Sequence, residues 1–347
     1  MKKQSKKPWK LILDKTYRPS VTILIPAHNE ENVIVQKLEN IKQIDYPSKS
    51  LQVIIVDDGS VDNTASFSKN YISTHGLKYN VFQTGQRVGK AYALNKALEL
   101  VSTEVVVVSD ADCFCSPDTL LKTLLYLSDE RIGAVSAMQV LPRPSETRVK
   151  ENENNYLQLS SILRVGASKT YSTIRFEGGF SAYKRCAFIK FDDETGADDS
   201  GTALNIIQNN YRTIVVDGLY FQSDFSTSST VRFKVKTRRA NHLLSLWLKC
   251  FSLLMKRKLL MPKRLSIPEI SLFLINPIVL VLLAITTIVI FLTAPFSLLS
   301  NSLILLIILS IILGRKLFFE IVTDNLVLFY SLIKLLFGKR YHAWDKA

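Results

Sequence analysis

Four apolar runs punctuate the first third of the chain, and two of them stop at acidic residues. Val21–Ala27 closes on Pro26-Ala27, Leu51–Val56 stops at Asp57-Asp58-Gly59-Ser60, Asn80–Phe82 is shorter, and Val105–Val108 stops at Ser109-Asp110. Helical periodicity fills the gaps over residues 30–43, 62–74 and 90–101. Strand, helix and strand at roughly 30-residue intervals predict βαβ units joined by right-handed crossovers. Four consecutive valines predict a strand buried on both faces, as in a parallel sheet. A helix is expected over 117–128, with Pro117 near its first turn, and a strand over Ile132–Met138. The fold class that follows is α/β, doubly wound, with a mostly parallel central sheet.

Beyond residue 140 the rhythm weakens. Residues 142–175 are polar and carry no clear period. Phe176–Tyr183 reads as a strand interrupted by Gly178-Gly179, residues 200–209 as a helix and Thr213–Val216 as a short strand. Residues 241–255 are too apolar for a free surface helix and too short to span, which predicts an interfacial helix. From Ile270 to Gly314 no residue is charged. That is about twice the ~20 residues a membrane crossing needs. A break at Ala294-Pro295-Phe296-Ser297 gives two expected spans, 270–293 and 298–314. The apolar stretch 317–337 contains Glu320, Asp324 and Lys334 and reads as a third span or a second interfacial helix. The expected organisation is a basic segment 1–18, loose or lying along a membrane; an α/β domain 19–240; an interfacial helix and basic linker 241–265; a membrane region 266–337; and a basic tail 338–347.

Charge sharpens this picture. The chain has 347 residues and a net charge of +14. Its basic runs lie at Lys2, Lys3, Lys6, Lys7 and Lys10, at 232–239 and at 255–264, and Arg315 and Lys316 close the second span. These runs flank the apolar segment, so anionic lipid head groups explain them better than nucleic acid does. The loop between the expected spans is uncharged. The positive-inside rule then puts residues 1–269 and the C-terminal tail in the cytoplasm of a multi-pass membrane protein. The first 20 residues show no apolar core region of a signal peptide. Cys113, Cys115, Cys186 and Cys250 have no paired metal spacing and read as ordinary thiols.

The candidate chemistry sits where the apolar runs stop. Side chains alternate along an extended chain, so Asp110 and Asp112 are expected on one side of a strand's carboxyl end. Paired carboxylates there suit Mg2+ or Mn2+ with a phosphate as co-ligand, at the edge where open α/β sheets bind ligands. A polar strand exit is the plainer alternative. Pro26-Ala27-His28-Asn29-Glu30-Glu31 either contacts a base or ribose or merely opens a helix with acidic residues that its dipole favours. Gly59 permits a tight turn, beside which Asp58 can accept hydrogen bonds from a base or ribose. Arg87 and Lys90 sit near a helix N-terminus, as candidate diphosphate contacts. No strand ends in the Gly-x-Gly-x-x-Gly of dinucleotide enzymes, which argues against a dehydrogenase.

Taken in order, Pro-Ala-His-Asn-Glu-Glu, Val-Asp-Asp-Gly-Ser-x-Asp-x-Thr, Gly-Lys-Ala-x-Ala-Leu-Asn and Ser-Asp-Ala-Asp resemble the family 2 glycosyltransferases with the GT-A fold, over roughly residues 18–240. The resemblance implies that Pro26, Ala27, Asn29, Glu30, Asp58, Lys90, Asp110 and Ala111 hold the nucleotide of a UDP- or GDP-sugar. It also implies that Asp110 and Asp112 hold a divalent cation, Mg2+ or Mn2+, on the diphosphate. Glu177-Gly178-Gly179-Phe180 resembles the segment lining the family's sugar pocket. Ala197-Asp198-Asp199 resembles its Thr-Glu-Asp motif, keeping Asp199 as the general base while departing at the first two positions, and Asp198 is expected in the sugar or acceptor pocket with Glu177, Gly178 and Gly179. Lys236-Thr237-Arg238-Arg239-Ala240 stands where membrane-bound polysaccharide synthases carry Gln-x-x-Arg-Trp. The Arg remains, but Gln and Trp are replaced, which weighs against processive polymerisation. Lys236 and Arg239, with Arg87, are expected to contact a donor diphosphate or a lipid phosphate.

The function this implies is inverting transfer of a sugar to a lipid-linked acceptor at the cytoplasmic membrane face. The acceptor would be a polyprenyl or dolichyl phosphate or a lipid-linked glycan. Membrane lipids are expected partners, nucleic acid is not, and homo-oligomerisation is left open. A processive polysaccharide synthase, a non-catalytic membrane scaffold and a nucleotidyltransferase are the alternatives. The last normally shows a Gly-rich loop after the first strand, which is missing here.

Overall fold

The structure, a computed structural model, describes residues 1–143, 145–224, 228–295 and 297–337, with backbone alone at 148, 149, 152, 229, 299, 310, 311, 313–320 and 336. The chain divides between Ser228 and Ser229 into two compact units. This division falls ahead of the expected one at 240/241 because a single helix runs unbroken from Ser229 to Met255.

Among the described residues the first unit holds eight strands: β1 (Val21–Ala27), β2 (Leu51–Asp57), β3 (Tyr79–Gln83), β4 (Val105–Val108), β5 (Phe114–Cys115), β6 (Ile132–Val140), β7 (Ser181–Lys184) and β8 (Arg212–Gln222). Its helices are α1 (Lys2–Ser5), α2 (Ile34–Lys42), α3 (Thr64–Thr74), α4 (Lys90–Leu98), α5 (Thr119–Leu127), α6 (Arg148–Thr170) and α7 (Asp198–Gln208). The sheet order is β3-β2-β1-β4-β7-β6-β8-β5. The block β3-β2-β1-β4 is parallel, β7 runs antiparallel to β4 and β6, β6 is parallel to β8, and β5 is antiparallel to β8.

The four valines of β4 are all buried, as are Val21, Ile23, Leu24 and Ile25 of β1. Burying one such side chain stabilises the fold by about 1.5–3 kcal/mol, so this central pair anchors the sheet. β1 lies between β2 and β4 in register Ile25↔Ile55 and Leu24↔Val108. The order therefore reverses at β1, and the carboxyl ends of β1, β2 and β4 open on one edge. A crevice forms at such a reversal.

Helix α6 lies inside the stretch the sequence left unassigned. Its inward face carries Leu157, Ser160, Arg164, Val165 and Ser168, all buried. With serine and arginine on the buried stripe, the apolar period is too weak to read. Thr147 caps its start by accepting from the Lys150 N–H. Phe176–Phe180 is irregular, and the strand begins only at Ser181. The segment 1–18, expected loose or along a membrane, instead packs on this unit. Trp9 donates to Asp217 at 3.1 Å, the Ile12 N–H donates to Asp129 at 2.9 Å, and Lys169 donates to the Ser5 carbonyl at 2.8 Å. These hydrogen bonds and the edge contact of Trp9 with Tyr126 fix a stretch whose lysines suggest only solvent or lipid.

The second unit contains α8 (Ser229–Met255), α9 (Lys263–Ile270), a π-turn at Ser271–Ile275, α10 (Asn276–Thr293) and α11 (Leu298–Leu336). Pro277 lacks the N–H that a regular helix would use, which fits the π-turn just before it. The expected interfacial helix 241–255 is the second half of α8, and Trp247 stacks on Phe273 at 5.7 Å. The stretch 317–336, expected as a third span or a second interfacial helix, continues α11 without a break. It packs on α8, where Lys236 pairs with Asp324 and Ser331 donates to the Thr237 carbonyl. Among the described residues one helix, Lys263–Thr293, is long and apolar enough to cross a membrane, and Ser300–Leu309 is a shorter apolar stretch. The expected basic tail 338–347 lies outside the described residues.

Candidate active site

The cleft at the carboxyl edge of β1, β2 and β4 is lined by Pro26, Ala27, His28, Glu30, Asp58, Lys90, Ala93, Asp110 and Ala111. Seven residues expected at the donor nucleotide thus share one hollow. The eighth, Asn29, is not among its lining residues. Its backbone is left-handed, with φ 55°, and its Oδ1 accepts from the Val61 N–H at 3.0 Å. It staples the first loop to the second. His28, quoted in the motif but not expected in the site, lines the cleft with its Nδ1 2.7 Å from the Asp58 carbonyl oxygen.

Asp58 shapes the loop that follows β3. Its two carboxylate oxygens accept from the Val88 and Gly89 N–H groups, each at 2.8 Å. Gly59 turns at φ 62°, and a Cβ there would stand 2.5 Å from the Arg87 nitrogen. Gly89 follows at φ 96° and delivers Lys90 as the first residue of α4. The side chain of Arg87 is not part of the cleft lining.

Asp110 and Asp112 do come together, but not by strand alternation. The strand has already ended, and residues 110–113 form a turn closed by the Cys113 N–H donating to the Asp110 carbonyl at 3.1 Å. The turn brings carboxylate oxygens of Asp110 and Asp112 and the Cys113 sulfur within 4.8 Å of one another. Cys113, expected to be an ordinary thiol, donates to Asp112 Oδ1 at 3.4 Å.

Lys90 connects this turn to α7. Its Nζ lies 2.8 Å from Asp110 Oδ1 and 3.4 Å from Asp198 Oδ2. Gly178 closes the group: a Cβ there would lie 3.2 Å from Lys90 Nζ, 3.5 Å from Asp110 and 3.7 Å from Asp199. At Gly179 a Cβ would collide with the Phe221 ring. Glu177 points elsewhere, one oxygen pairing with buried Arg164 and the other accepting from the Gln139 N–H. Lys236 and the exposed Arg239 belong to α8 of the second unit.

Electrostatics single out three groups. Burial opposes the charge on Lys90, but Asp110, Asp198 and Asp199 overcome it and hold the ammonium protonated well above the usual lysine range. Burial and then Asp112 and Asp198 push the Asp110 carboxyl up, against the pull of Lys90. Burial and Asp198 raise Asp199 to about 7, while Lys90 and the Ser200 N–H act the other way. Among the described residues three carboxylates, Asp110, Asp198 and Asp199, act on one ammonium, and Asp112 stands beside Asp110. Such an excess of hard, anionic oxygen fits a divalent cation.

The Glycosyl transferase family 2 domain matches residues 22–192. A mannosyltransferase from Pyrobaculum calidifontis, solved in complex with GDP-Man and Mn2+, shares 31% identity with this chain and has a TM-score of 0.83. The match covers 98% of this chain and 93% of that one. A Beta-monoglucosyldiacylglycerol synthase from Nostoc sp. is 35% identical over 132 residues, 37% of this chain and 28% of that protein. A Poly-beta-1,6-N-acetyl-D-glucosamine synthase from Staphylococcus epidermidis is 25% identical over 168 residues, 48% of this chain and 40% of that protein. The chain thus matches well under two thirds of the length of these curated relatives. Fold and cleft define a glycosyltransferase of GT-A type. The chain belongs to the family 2 glycosyltransferases.

Proposed function

We propose that this enzyme moves a hexosyl group from a nucleotide-diphosphate sugar to a lipid-linked acceptor at the cytoplasmic face of a membrane, with inversion. The observation that carries the reading is the Lys90 ammonium held between Asp110 and Asp198 in the wall of the cleft. A leaving diphosphate develops negative charge, and preorganised positive groups aimed at it lower the barrier. Pro26, Ala27, Glu30 and Asp58 would face the base and ribose, while Asn29 would keep the first loop in place. Asp110 and Asp112 would hold a divalent cation, Mn2+ or Mg2+, which supplies Lewis-acid stabilisation of the diphosphate when bound. Lys90 would then exchange its carboxylate partners for phosphate oxygens.

Gly178 lets backbone approach the sugar closely. Asp199 would take the proton from an attacking acceptor hydroxyl, with Asp198 beside it keeping its basicity near neutrality. Lipid phosphate is already anionic, and with such an acceptor Asp199 would only position substrate. Arg87, Lys236 and Arg239 remain candidates for phosphate contact, and release of Lys236 from Asp324 would be needed first.

Several features support the membrane and lipid parts. Helix α10 is apolar all round and exposes Ile278, Leu282, Leu283, Ile285 and Ile288. A helix of that kind calls for a non-aqueous surround. Basic residues flank the uncharged segment 270–314 that contains it, at 255–264 and at Arg315 and Lys316. One relative's name makes a glucosyldiacylglycerol its product, and the Pyrobaculum complex supports a GDP-sugar and Mn2+.

The test uses full-length protein in detergent, a panel of GDP- and UDP-sugars with Mn2+ or Mg2+, and a lipid extract as acceptor. Incorporation into lipid from one donor is expected, and it should vanish with Asp112→Asn while the melting temperature holds. An active Asp112→Asn protein would defeat the proposal. A polysaccharide synthase is the second reading, favoured by the poly-N-acetylglucosamine synthase among the relatives. A ladder of long products, not a single addition, would establish it.

A further inference from the structure

Lys37 is a lysine on the wrong side of its helix. α2 turns Ile34, Leu38 and Ile41 into the core, and Lys37 goes in with them at 0% exposure. Burying an amine there is costly, and an apolar residue of the same length would cost less. What it gains is position. Its Nζ donates to the Ser109 hydroxyl at 2.7 Å and to the Cys113 carbonyl oxygen. Those two residues bracket the turn that carries Asp110 and Asp112. Ser109 passes the chain on, its hydroxyl donating to the Gly179 carbonyl at 3.1 Å, while the Asp110 N–H donates to the same oxygen at 3.3 Å.

We propose that Lys37 is a positioning residue. It fixes both ends of the Asp110–Asp112 turn and, through Ser109, locks that turn to the Gly178-Gly179 segment, so that the two carboxylates are preset for a divalent cation with a nucleoside diphosphate. This rests on the function proposed above. Carboxylate ligands depend on what holds them from behind, and removing such support typically weakens metal affinity roughly tenfold to a hundredfold.

The test is calorimetric titration of GDP, and in parallel UDP, into the full-length protein in detergent, with Mn2+ and with EDTA. Wild-type protein should bind one of them more tightly with Mn2+. Lys37→Met keeps length and burial and removes the donor. It should leave binding in EDTA unchanged and lose roughly tenfold or more of the Mn2+-dependent gain. Ser109→Ala breaks the same chain with little change in volume. It should lose part of that gain, and it decides the question if Lys37→Met fails to fold. An undiminished Mn2+ gain in the variant that folds overturns the proposal. So does equal weakening with Mn2+ and with EDTA, which would mean general damage. A wild-type protein with no Mn2+ gain for either nucleotide strikes the proposed function itself, and this inference falls with it.

Discussion

Lys90 reaches Asp110 at 2.8 Å from the first turn of α4, so the residue that opens a helix also neutralises the acid that opens the turn after β4. The amine is held protonated by its carboxylate neighbours and remains a full charge throughout the working pH range. Lys90→Met removes that charge and keeps the stem. Losing one preorganised donor to developing charge costs roughly a hundredfold to a thousandfold in turnover. Initial rates over a range of donor concentration should therefore show kcat falling by at least two orders of magnitude, with a smaller change in donor KM. A fall confined to KM would mean that Lys90 binds the ground state alone.

Asp199 makes the second prediction, a pH profile. Its carboxyl is raised to about 7, chiefly by burial and by Asp198. A general base must be ionised, so the rate with a hydroxyl acceptor should rise through an apparent pKa near 7 and level off above it. Asp199→Asn should abolish that limb. Stability moves the other way. The folded value exceeds the ~4 of a free carboxyl, so folding favours the protonated acid. This contribution is complete below about pH 4 and is lost as pH climbs through about 7. A series of melting curves across that window should flatten in Asp199→Asn.

The parallel half of the fold was legible because its physics is local. β1, β2 and β4 are continuous apolar runs, and residues 25–30, 57–60 and 110–112 lie at their carboxyl ends, where the topology makes a crevice. Features set by tertiary contact were not legible. Helix α6 hid because its buried face includes Ser160, Arg164 and Ser168. The Asp110–Asp112 pair was foreseen, but the turn that creates it was not, since residue spacing does not distinguish a turn from an extended strand. Lys37 did leave a trace. It interrupts the apolar stripe Ile34, Leu38, Ile41 at a position that can only face inward. Lys236 looked like a free cation because Asp324 is 88 residues away in the chain.

Gly59 yields a prediction about architecture. Its φ of 62° costs an L-residue about 1–2 kcal/mol, and a Cβ there meets the backbone of Gln86 and Arg87. Backbone cannot step aside as a flexible side chain can. Gly59→Ala should lower the melting temperature by several degrees and, by displacing the amides that Asp58 holds, weaken nucleotide binding even in EDTA. That last readout separates it from Lys37→Met. A variant with normal melting and normal binding would show that the 85–90 loop tolerates displacement.

Arg164 and Glu177 decide whether Glu177 serves the substrate or the scaffold. The Arg164 side chain is 3% exposed and that of Glu177 is 20% exposed, and the carboxylate is shared between the guanidinium and the Gln139 N–H. Both oxygens are thus committed to holding the segment that leads into Gly178-Gly179. Breaking a buried pair by removing one partner costs about 3–5 kcal/mol, because the other charge is stranded, whereas removing both costs far less. Arg164→Met should therefore destabilise strongly, and the double variant Arg164→Met with Glu177→Gln should recover much of the loss in melting temperature. If Glu177 only anchors, Glu177→Gln alone should lower stability while the surviving folded protein keeps its donor KM. If it touches the sugar, donor KM should rise in every Glu177→Gln variant, including the restabilised double.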